Sequence, residues 1–268
     1  MAHPSIKPIS QQLDHVAFML YGRPGFGKTR LVSTTPGKCL IVKPPADHTL
    51  SAVAGSTCQV WEVQTWNEMT DVYEYLRHGS EKFDWVWLDS LSVWQDYGLD
   101  DVWDDVLQRR PDRKGQNPDK GEYGMNMNRI KVWIRDMIGM GKFHFGVTCH
   151  PIEQEDEDGN VLMRPYIQGR GMVSTICGYM NVMGLMVLDT EFNDRGRVKS
   201  QKHLLHTQAT ERYDAKELYH ALPSTMTDPT MPEIMKKIEA TGKLAGGKTT
   251  RTRPRAIPPA RRRRRSAA

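Results

Sequence analysis

Short apolar runs alternate with amphipathic stretches over the first 150 residues of the chain. The apolar runs predict buried strands, which lie at 15–21, 38–43, 58–63, 83–88 and 142–148. Apolar residues at helical spacing predict helices, which lie at 65–77, 91–108 and 125–140. Strands that alternate with helices are typical of an α/β fold with a mostly parallel central sheet flanked by helices.

The pattern changes after this region, where extended segments follow one another directly. A turn sequence, DGN at 158–160, predicts a β-hairpin over 151–166. Two further strands are predicted at 181–188 and 198–205, and a last helix at 228–240. We therefore expect β-hairpin additions on the C-terminal side of the parallel sheet.

The size and composition suit one large domain. The chain has 268 residues, of which 38% are hydrophobic and 26% are charged, so a core can be built. No apolar run approaches the roughly 18 residues of a membrane helix, and residues 1–12 lack the pattern of a secretory signal. The four cysteines form no C-x-x-C pair, which argues against a disulfide scaffold or a zinc ribbon. We expect a soluble cytoplasmic protein without a membrane partner.

Basic residues are concentrated at one end of the chain. Residues 241–268 carry ten basic side chains and no acidic one, while residues 1–240 hold the remaining 27 basic and all 32 acidic side chains. We expect an N-terminal extension over 1–13, a folded domain over 14–240 and a disordered Arg-rich tail over 241–268. Such a tail would bind DNA or RNA non-specifically, and a nuclear localisation signal or an expression-related sequence is an alternative.

Residues 22–29, GRPGFGKT, match the pattern G-x-x-x-x-G-K-[ST] completely and lie between a predicted strand and a predicted helix. Glycines allow backbone N–H groups to face phosphates, Lys28 can reach the β- and γ-phosphates, and the Thr29 hydroxyl can hold Mg²⁺. This pattern predicts binding of ATP with Mg²⁺. The candidate nucleotide-binding residues are Gly22, Arg23, Pro24, Gly25, Phe26, Gly27, Lys28, Thr29 and Arg30.

Asp89 is the second candidate for the metal site. Four apolar residues precede it, and they place it at the carboxyl end of a buried strand, where α/β sheets bind ligands. There Asp89 would hold Mg²⁺ opposite Thr29. The alternative is that Asp89 caps the helix predicted from residue 91.

A third group of candidates lies at 146–150, again at the end of a predicted strand. Thr148 and His150 are candidates for sensing the γ-phosphate or positioning water. An ordinary loop histidine before a proline is the equal alternative for His150. A cysteine nucleophile at Cys149 is rejected, because neighbouring residues of an extended chain point to opposite faces and His150 would not reach it.

The segments GRPGFGKTR, WVWLDSLSVW and FGVTCHP, in this order and spacing, resemble the small RecA-like ATPases of bacteriophages, which include the Sak-type single-strand annealing and recombination proteins. The Asp89-Ser90 pair favours these over AAA+ and helicase-type relatives, which usually carry Asp-Glu. The resemblance covers about residues 14–215. It implies a RecA-like P-loop NTPase fold, ATP hydrolysis, and assembly of copies into a ring or filament on single-stranded DNA. A single-strand-binding protein is a further candidate partner.

One feature departs from the pattern of these relatives. They often carry an acidic D-x-E cluster after the second strand, and its glutamate polarises the attacking water. Here the corresponding stretch is KPPADH at 43–48, in which Asp47 is the remaining candidate base, and Glu62 lies within a predicted strand. We therefore expect ATP binding with slow hydrolysis.

The resemblance also implies DNA contacts in two loops, at 109–121 and 151–171. Arginine and lysine would neutralise phosphates and a tyrosine would stack on a base, although solvated loop residues are the alternative. The candidates are Arg109, Arg110, Arg113, Lys114, Lys120, Arg164, Tyr166 and Arg170. A positive charge acting across a subunit boundary is predicted at Arg212 first and at Lys202 second, with an ordinary surface charge as the alternative for both.

Three function classes follow. The leading hypothesis is a phage RecA-like ATPase that binds single-stranded DNA and assists recombination or annealing, in the cytoplasm of the host cell. A P-loop kinase of small molecules is the second, although residues 151–171 make a poor lid. A nucleotide-gated, non-enzymatic DNA-binding assembly factor is the third.

Overall fold

The strands and helices follow the alternation that the sequence predicts. The computed structural model describes residues 15–45, 49–155 and 159–242. The strands are β1 (Ala17–Tyr21), β2 (Cys39–Lys43), β3 (Gln59–Glu62), β4 (Trp85–Leu88), β5 (His144–Cys149), β6 (Pro151–Glu155), β7 (Val161–Pro165), β8 (Val182–Phe192), β9 (Val198–His206), β10 (Lys216–Glu217) and β11 (Thr225–Thr227). The helices are α1 (Lys28–Val32), α2 (Met69–His78), α3 (Leu91–Arg109), α4 (Lys120–Gly139), α5 (Arg170–Tyr179) and α6 (Met231–Ala240).

The central sheet of the described residues has nine strands, and six of them form a parallel block in the order β8-β1-β5-β4-β2-β3. β9 pairs antiparallel with β8, β11 with β9, and β10 with β8. β6 and β7 form a separate antiparallel hairpin, called the 151–165 hairpin below. The expected α/β class is confirmed, with a mostly parallel sheet, flanking helices and C-terminal hairpins.

Both faces of the sheet are covered, as continuous apolar strands require. Successive residues of β1 point to opposite faces, so Met19 packs in one core and Phe18 in the other. The Met19 core includes Trp133 of α4 and side chains of α2, α3 and α5. The Phe18 core includes Ile234 of α6 and side chains of α1. Two layers of helices thus hold the strand ends of the parallel block in fixed positions.

The loop predicted at 109–121 is shorter in the structure, because the flanking helices extend into it from both ends. α3 continues to Arg109, and α4 begins at Lys120 rather than at 125. Asp119 starts α4 with a capping box: its carboxylate accepts a hydrogen bond from the Gly121 N–H at 2.7 Å, and Glu122 accepts from the Asp119 N–H at 2.7 Å. Because these bonds satisfy N–H groups at the helix start, the loop shrinks to 110–119.

Three elements were not predicted. α5 contains two glycines, a serine and a threonine, which obscure its apolar face, although Ile176 is fully buried. β10 and β11 have two and three residues, too few for a periodic pattern. No helix within 15–45, 49–155 and 159–242 is long and apolar enough to cross a membrane. The N-terminal extension, Asp47 and nearly all of the predicted tail lie outside the described residues.

Gly146 of β5 provides a test of the packing between the sheet and its covering helices. A Cβ at this position would overlap with the ring of Trp87, which is fully buried and stacked on Trp85 at 5.6 Å. Gly146→Ala should therefore lower the free energy of unfolding by about 1–3 kcal/mol. Urea unfolding followed by tryptophan fluorescence measures the change.

Gly139, near the end of α4, serves as the matched control. A Cβ there meets nothing within 4 Å, so Gly139→Ala should leave the stability unchanged or raise it by about 0.5 kcal/mol. Equal unfolding midpoints for the two variants would contradict the packing described for β5.

Candidate phosphate-binding site

The phosphate loop, residues 22–29, connects β1 to α1 and is shaped by its glycines. Gly27 has φ 93°, a left-handed conformation that glycine adopts without strain, and it is the N-cap of α1. Gly22 lies so close to β8 that a Cβ would be 2.5 Å from the Met186 carbonyl oxygen. Glycine is therefore required at both ends of the loop, which curls at the carboxyl edge of the sheet.

Lys28 closes the mouth of the phosphate loop. Its side chain is buried, with 8% of the residue exposed, and Nζ donates hydrogen bonds to the carbonyl oxygens of Gly22 at 2.6 Å and Arg23 at 3.2 Å. A buried ammonium group needs such partners. The same group is within reach of an anion seated on the loop, so the loop and Lys28 together suit a phosphate chain.

Asp89 lies directly after β4 and faces α1, as the sequence predicts. The residue is 3% exposed. Its Oδ2 accepts a hydrogen bond from the Thr29 hydroxyl at 3.4 Å, and its Oδ1 accepts one from the Thr148 hydroxyl of β5. The N-cap residue of α3 is Ser90, one position after Asp89. The hydroxyl oxygen of Thr29 and a carboxylate oxygen of Asp89 thus lie next to each other.

These two oxygens suit Mg²⁺ that arrives with a nucleotide. The described part of the chain contains no group of three or more His, Cys, Asp or Glu side chains placed to hold a metal. Mg²⁺ is commonly bound through one or two protein oxygens together with phosphate oxygens and waters. The donor set therefore fits a nucleotide-bound metal rather than a resident one.

A cavity of about 400 Å³ extends over the loop. Its walls are the phosphate loop with the start of α1, then Asp89 and Ser90, and finally His150 and His203. This volume lies within the range of small-molecule sites, about 300–1,000 Å³. His150 thus lines this cavity, and its γ-phosphate role stays a prediction. His203 is a wall residue that no sequence motif indicated.

The structure shows a contact of Thr148 that the sequence did not predict. Thr148 is fully buried, is not part of the cavity wall, and donates its hydroxyl proton to Asp89. We therefore expect Thr148 to position the carboxylate, and its role as a γ-phosphate sensor stays an untested prediction. Cys149 is also fully buried, and burial raises the pKa of its thiol. This agrees with the rejection of a cysteine nucleophile.

Two of the DNA-contact candidates in the first loop form ion pairs with acidic residues of the same chain. Arg113 pairs with Glu122 at 2.6 Å and with Asp119 at 3.5 Å, and its guanidinium lies 4.7 Å from the ring centre of Trp103. These contacts give Arg113 a structural role, and its DNA contact stays a prediction. Arg110 pairs with Asp112 at 3.1 Å. The remaining candidates of this region are exposed: Arg109 at the end of α3, Lys114 in the loop and Lys120 at the start of α4.

The second loop lies close to the phosphate loop. Arg23 pairs with Glu153 of the 151–165 hairpin at 2.5 Å. Arg164 of the hairpin pairs with Asp214 at 2.9 Å, and Tyr166 is half-buried, with its N–H bonded to the His150 carbonyl oxygen at 2.8 Å. Arg170 begins α5, and its side chain lies outside the described part of the structure.

Three candidates remain, and two of them, Arg212 and Lys202, lie outside the cavity walls. Asp47 is outside the described residues. Arg212 and Lys202 are exposed. Lys202 precedes His203 in β9, so it points to the other face of the strand. Glu62, which the sequence disfavoured as a base, pairs with Lys43 at 2.9 Å.

The strand–glycine loop–helix unit, the buried lysine at the loop and the carboxylate beside Thr29 define a nucleotide site of the P-loop NTPase class. The model of the AAA domain family matches residues 14–219, and the chain belongs to this family. No curated protein matches the chain. Membership supports a nucleotide-binding ATPase that typically works with Mg²⁺, as the sequence predicts. The narrower likeness to phage RecA-like proteins stays a prediction.

The Thr148–Asp89 hydrogen bond makes a prediction about the metal. Thr148→Val removes the donor at nearly unchanged volume, so Asp89 should lose its fixed orientation and about tenfold more Mg²⁺ should be needed for half-maximal nucleotide binding. Titration of Mg²⁺ against a fluorescent ATP analogue measures this. Thr148→Ser keeps the hydroxyl and is the control. A wild-type Mg²⁺ requirement in Thr148→Val would rule out the positioning role.

Proposed function

We propose that the chain is a RecA-like ATPase of bacteriophage type, which binds ATP with Mg²⁺ and single-stranded DNA and promotes recombination or strand annealing. The observation that carries this proposal is the ion pair between Arg23 of the phosphate loop and Glu153 of the 151–165 hairpin, at 2.5 Å. It joins the nucleotide site to the hairpin in which DNA contacts are predicted. The working form is a ring or filament of copies in the host-cell cytoplasm.

Different residues of the site have different roles in binding the nucleotide. Backbone N–H groups of the phosphate loop bind the phosphates, and Lys28 turns from the Gly22 and Arg23 carbonyl oxygens towards a phosphate oxygen. Thr29 and Asp89 would hold Mg²⁺, which would supply positive charge beside the phosphates. His150 faces the same cavity, and Asp47 is the proposed base for water.

The 151–165 hairpin is a better DNA candidate than the loop at 110–119. α3 has 19 residues, so its far end lies about 28 Å from the Asp89 end at 1.5 Å per residue. Charge does not decide between the two segments, because α3 carries five aspartates, at 96, 100, 101, 104 and 105, and the hairpin sequence carries five acidic residues, at 153 and 155–158. The hairpin instead contacts the phosphate loop. Its Arg164–Asp214 pair is partly exposed, so a DNA phosphate can compete for the guanidinium.

The first test measures whether DNA and nucleotide binding are coupled. ATP turnover by the full chain should rise at least about fivefold with single-stranded DNA, and Lys28→Ala should lower it to background, because the phosphate loop loses its cation. A variant in which Arg261–Arg265 are replaced by serine distinguishes the effect of the folded domain on DNA binding from the effect of the Arg-rich tail. Its turnover should keep the DNA stimulation while its DNA binding becomes less sensitive to salt.

Other outcomes favour the alternatives. ADP formation that depends on a nucleoside and not on DNA would favour a P-loop kinase. Turnover that stays at background in the wild type, together with assembly that Lys28→Ala abolishes, would favour a non-enzymatic assembly factor. Either result contradicts the proposed function.

The second test addresses the Arg23–Glu153 pair directly. Both side chains are about half exposed, so breaking the pair should change stability by less than about 1 kcal/mol. Arg23→Glu should remove most of the DNA stimulation while basal turnover changes less, because two acidic side chains then repel each other. The swap Arg23→Glu with Glu153→Arg should restore part of the stimulation. No difference between the single variant and the swap would contradict coupling through this pair.

A further inference from the structure

His203 of β9 contacts the phosphate loop from the side of the sheet that lies away from Asp89. In the order β9-β8-β1-β5-β4, the loop follows β1, Asp89 follows β4, and His203 belongs to the strand on the other flank. His203 also forms part of the cavity wall. The cavity is therefore closed on one side by a carboxylate and on the other by an imidazole.

The contact between His203 and the loop is a hydrogen bond of defined direction. Nδ1 of the imidazole lies 3.2 Å from the Phe26 carbonyl oxygen. A carbonyl oxygen only accepts, so Nδ1 carries the proton and donates it. The imidazole also fills the space beside the next residue, because a Cβ on Gly27 would be 2.5 Å from Nδ1. Gly27 is thus required by the position of His203 as well as by its own backbone conformation.

This hydrogen bond fixes the orientation of one peptide group. The Phe26–Gly27 bond is trans, and in a trans peptide the C=O and the N–H point in opposite directions. With the Phe26 carbonyl held towards β9, the Gly27 N–H is turned away from β9. His203 and Asp89 lie on opposite sides of the cavity, so we infer that an N–H turned away from His203 faces the cavity.

The backbone of His203 is itself held firmly. Its N–H donates to the Asp228 carboxylate at 3.1 Å, and its carbonyl oxygen accepts from the Asp228 N–H at 2.7 Å. The same carboxylate lies 3.5 Å from the guanidinium of Arg30 in α1. The segment that carries His203 is therefore tied to the helix that follows the phosphate loop.

We propose that His203 is a positioning residue for phosphate binding: its Nδ1–H holds the Phe26 carbonyl group, and this orients the Gly27 N–H towards the phosphates. The inference rests on nucleotide binding at the phosphate loop, as proposed above. It assigns a role to a residue that lies 177 positions from its partner and outside the glycine-rich motif.

Two substitutions of His203 distinguish a hydrogen-bond donor at the position of Nδ1 from a donor near the position of Nε2. His203→Asn places an amide N–H where Nδ1 lies, while His203→Gln places its amide one bond further along, near the position of Nε2. His203→Gln should bind ATP about fivefold to tenfold more weakly than the wild type, and His203→Asn should stay within about twofold. Isothermal titration calorimetry of the full-length variants in the presence of Mg²⁺ measures both affinities.

Inorganic tripolyphosphate is the second probe, because it has the phosphates and no nucleoside. The proposal requires that His203→Gln weaken tripolyphosphate and ATP by the same factor. Gln201→Ala is the control, since Gln201 is exposed on the same face of β9, two residues away. It should bind both probes like the wild type. Thermal unfolding followed by circular dichroism checks that each variant is folded.

The outcomes are distinct. Wild-type affinity in His203→Gln, or equal losses in the Asn and Gln variants, overturns the positioning role. A loss for ATP without a loss for tripolyphosphate also overturns it, because His203 would then recognise the nucleoside. Failure of the wild type to bind either probe contradicts the proposed function itself, and the inference falls with it.

Discussion

The arrangement of the site depends on one buried carboxylate. Asp89 is 3% exposed, and a charge in such a place is tolerated only when hydrogen bonds replace its water. The two hydroxyl groups that supply these bonds come from different elements, Thr29 in α1 and Thr148 in β5. Because Asp89 itself follows β4, a single side chain sets the relative positions of the first helix and two strands. The metal-binding geometry is thus a property of the packed sheet rather than of the loop alone.

The phosphate loop is shaped from its other flank as well. Gly22 lies against the Met186 carbonyl group of β8, and Gly27 lies against the imidazole of His203 in β9. β8 at the edge of the parallel block and the antiparallel strand β9 beside it therefore determine which residues the loop can contain. A glycine at these two positions serves close packing as much as it serves the approach of a ligand. The C-terminal hairpins belong to the nucleotide site in this structural sense.

The sequence predicted those parts of the fold and site that are encoded by neighbouring residues. The phosphate loop, the strand that delivers Asp89 and the alternation of strands and helices all depend on short-range patterns. The order of strands, with β5 between β1 and β4, depends on long-range packing, so the hydrogen bond from Thr148 to Asp89 could not be predicted. The contacts of Arg113 were equally unpredictable, because Glu122 and Trp103 meet it only once α3 and α4 pack together. The capping box at 119–122 was visible as D-x-x-E, and it would have placed the start of α4 correctly.

The connection between β5 and the 151–165 hairpin consists of a single residue, His150. Both backbone groups of His150 are bonded: its N–H donates to the Ser92 hydroxyl at 2.9 Å, and its carbonyl oxygen accepts from the Tyr166 N–H at 2.8 Å. The root of the hairpin consequently has no flexible joint. A mechanical force on the hairpin tip would be transmitted along the chain to the strand that carries Thr148, because no intervening segment is able to absorb it.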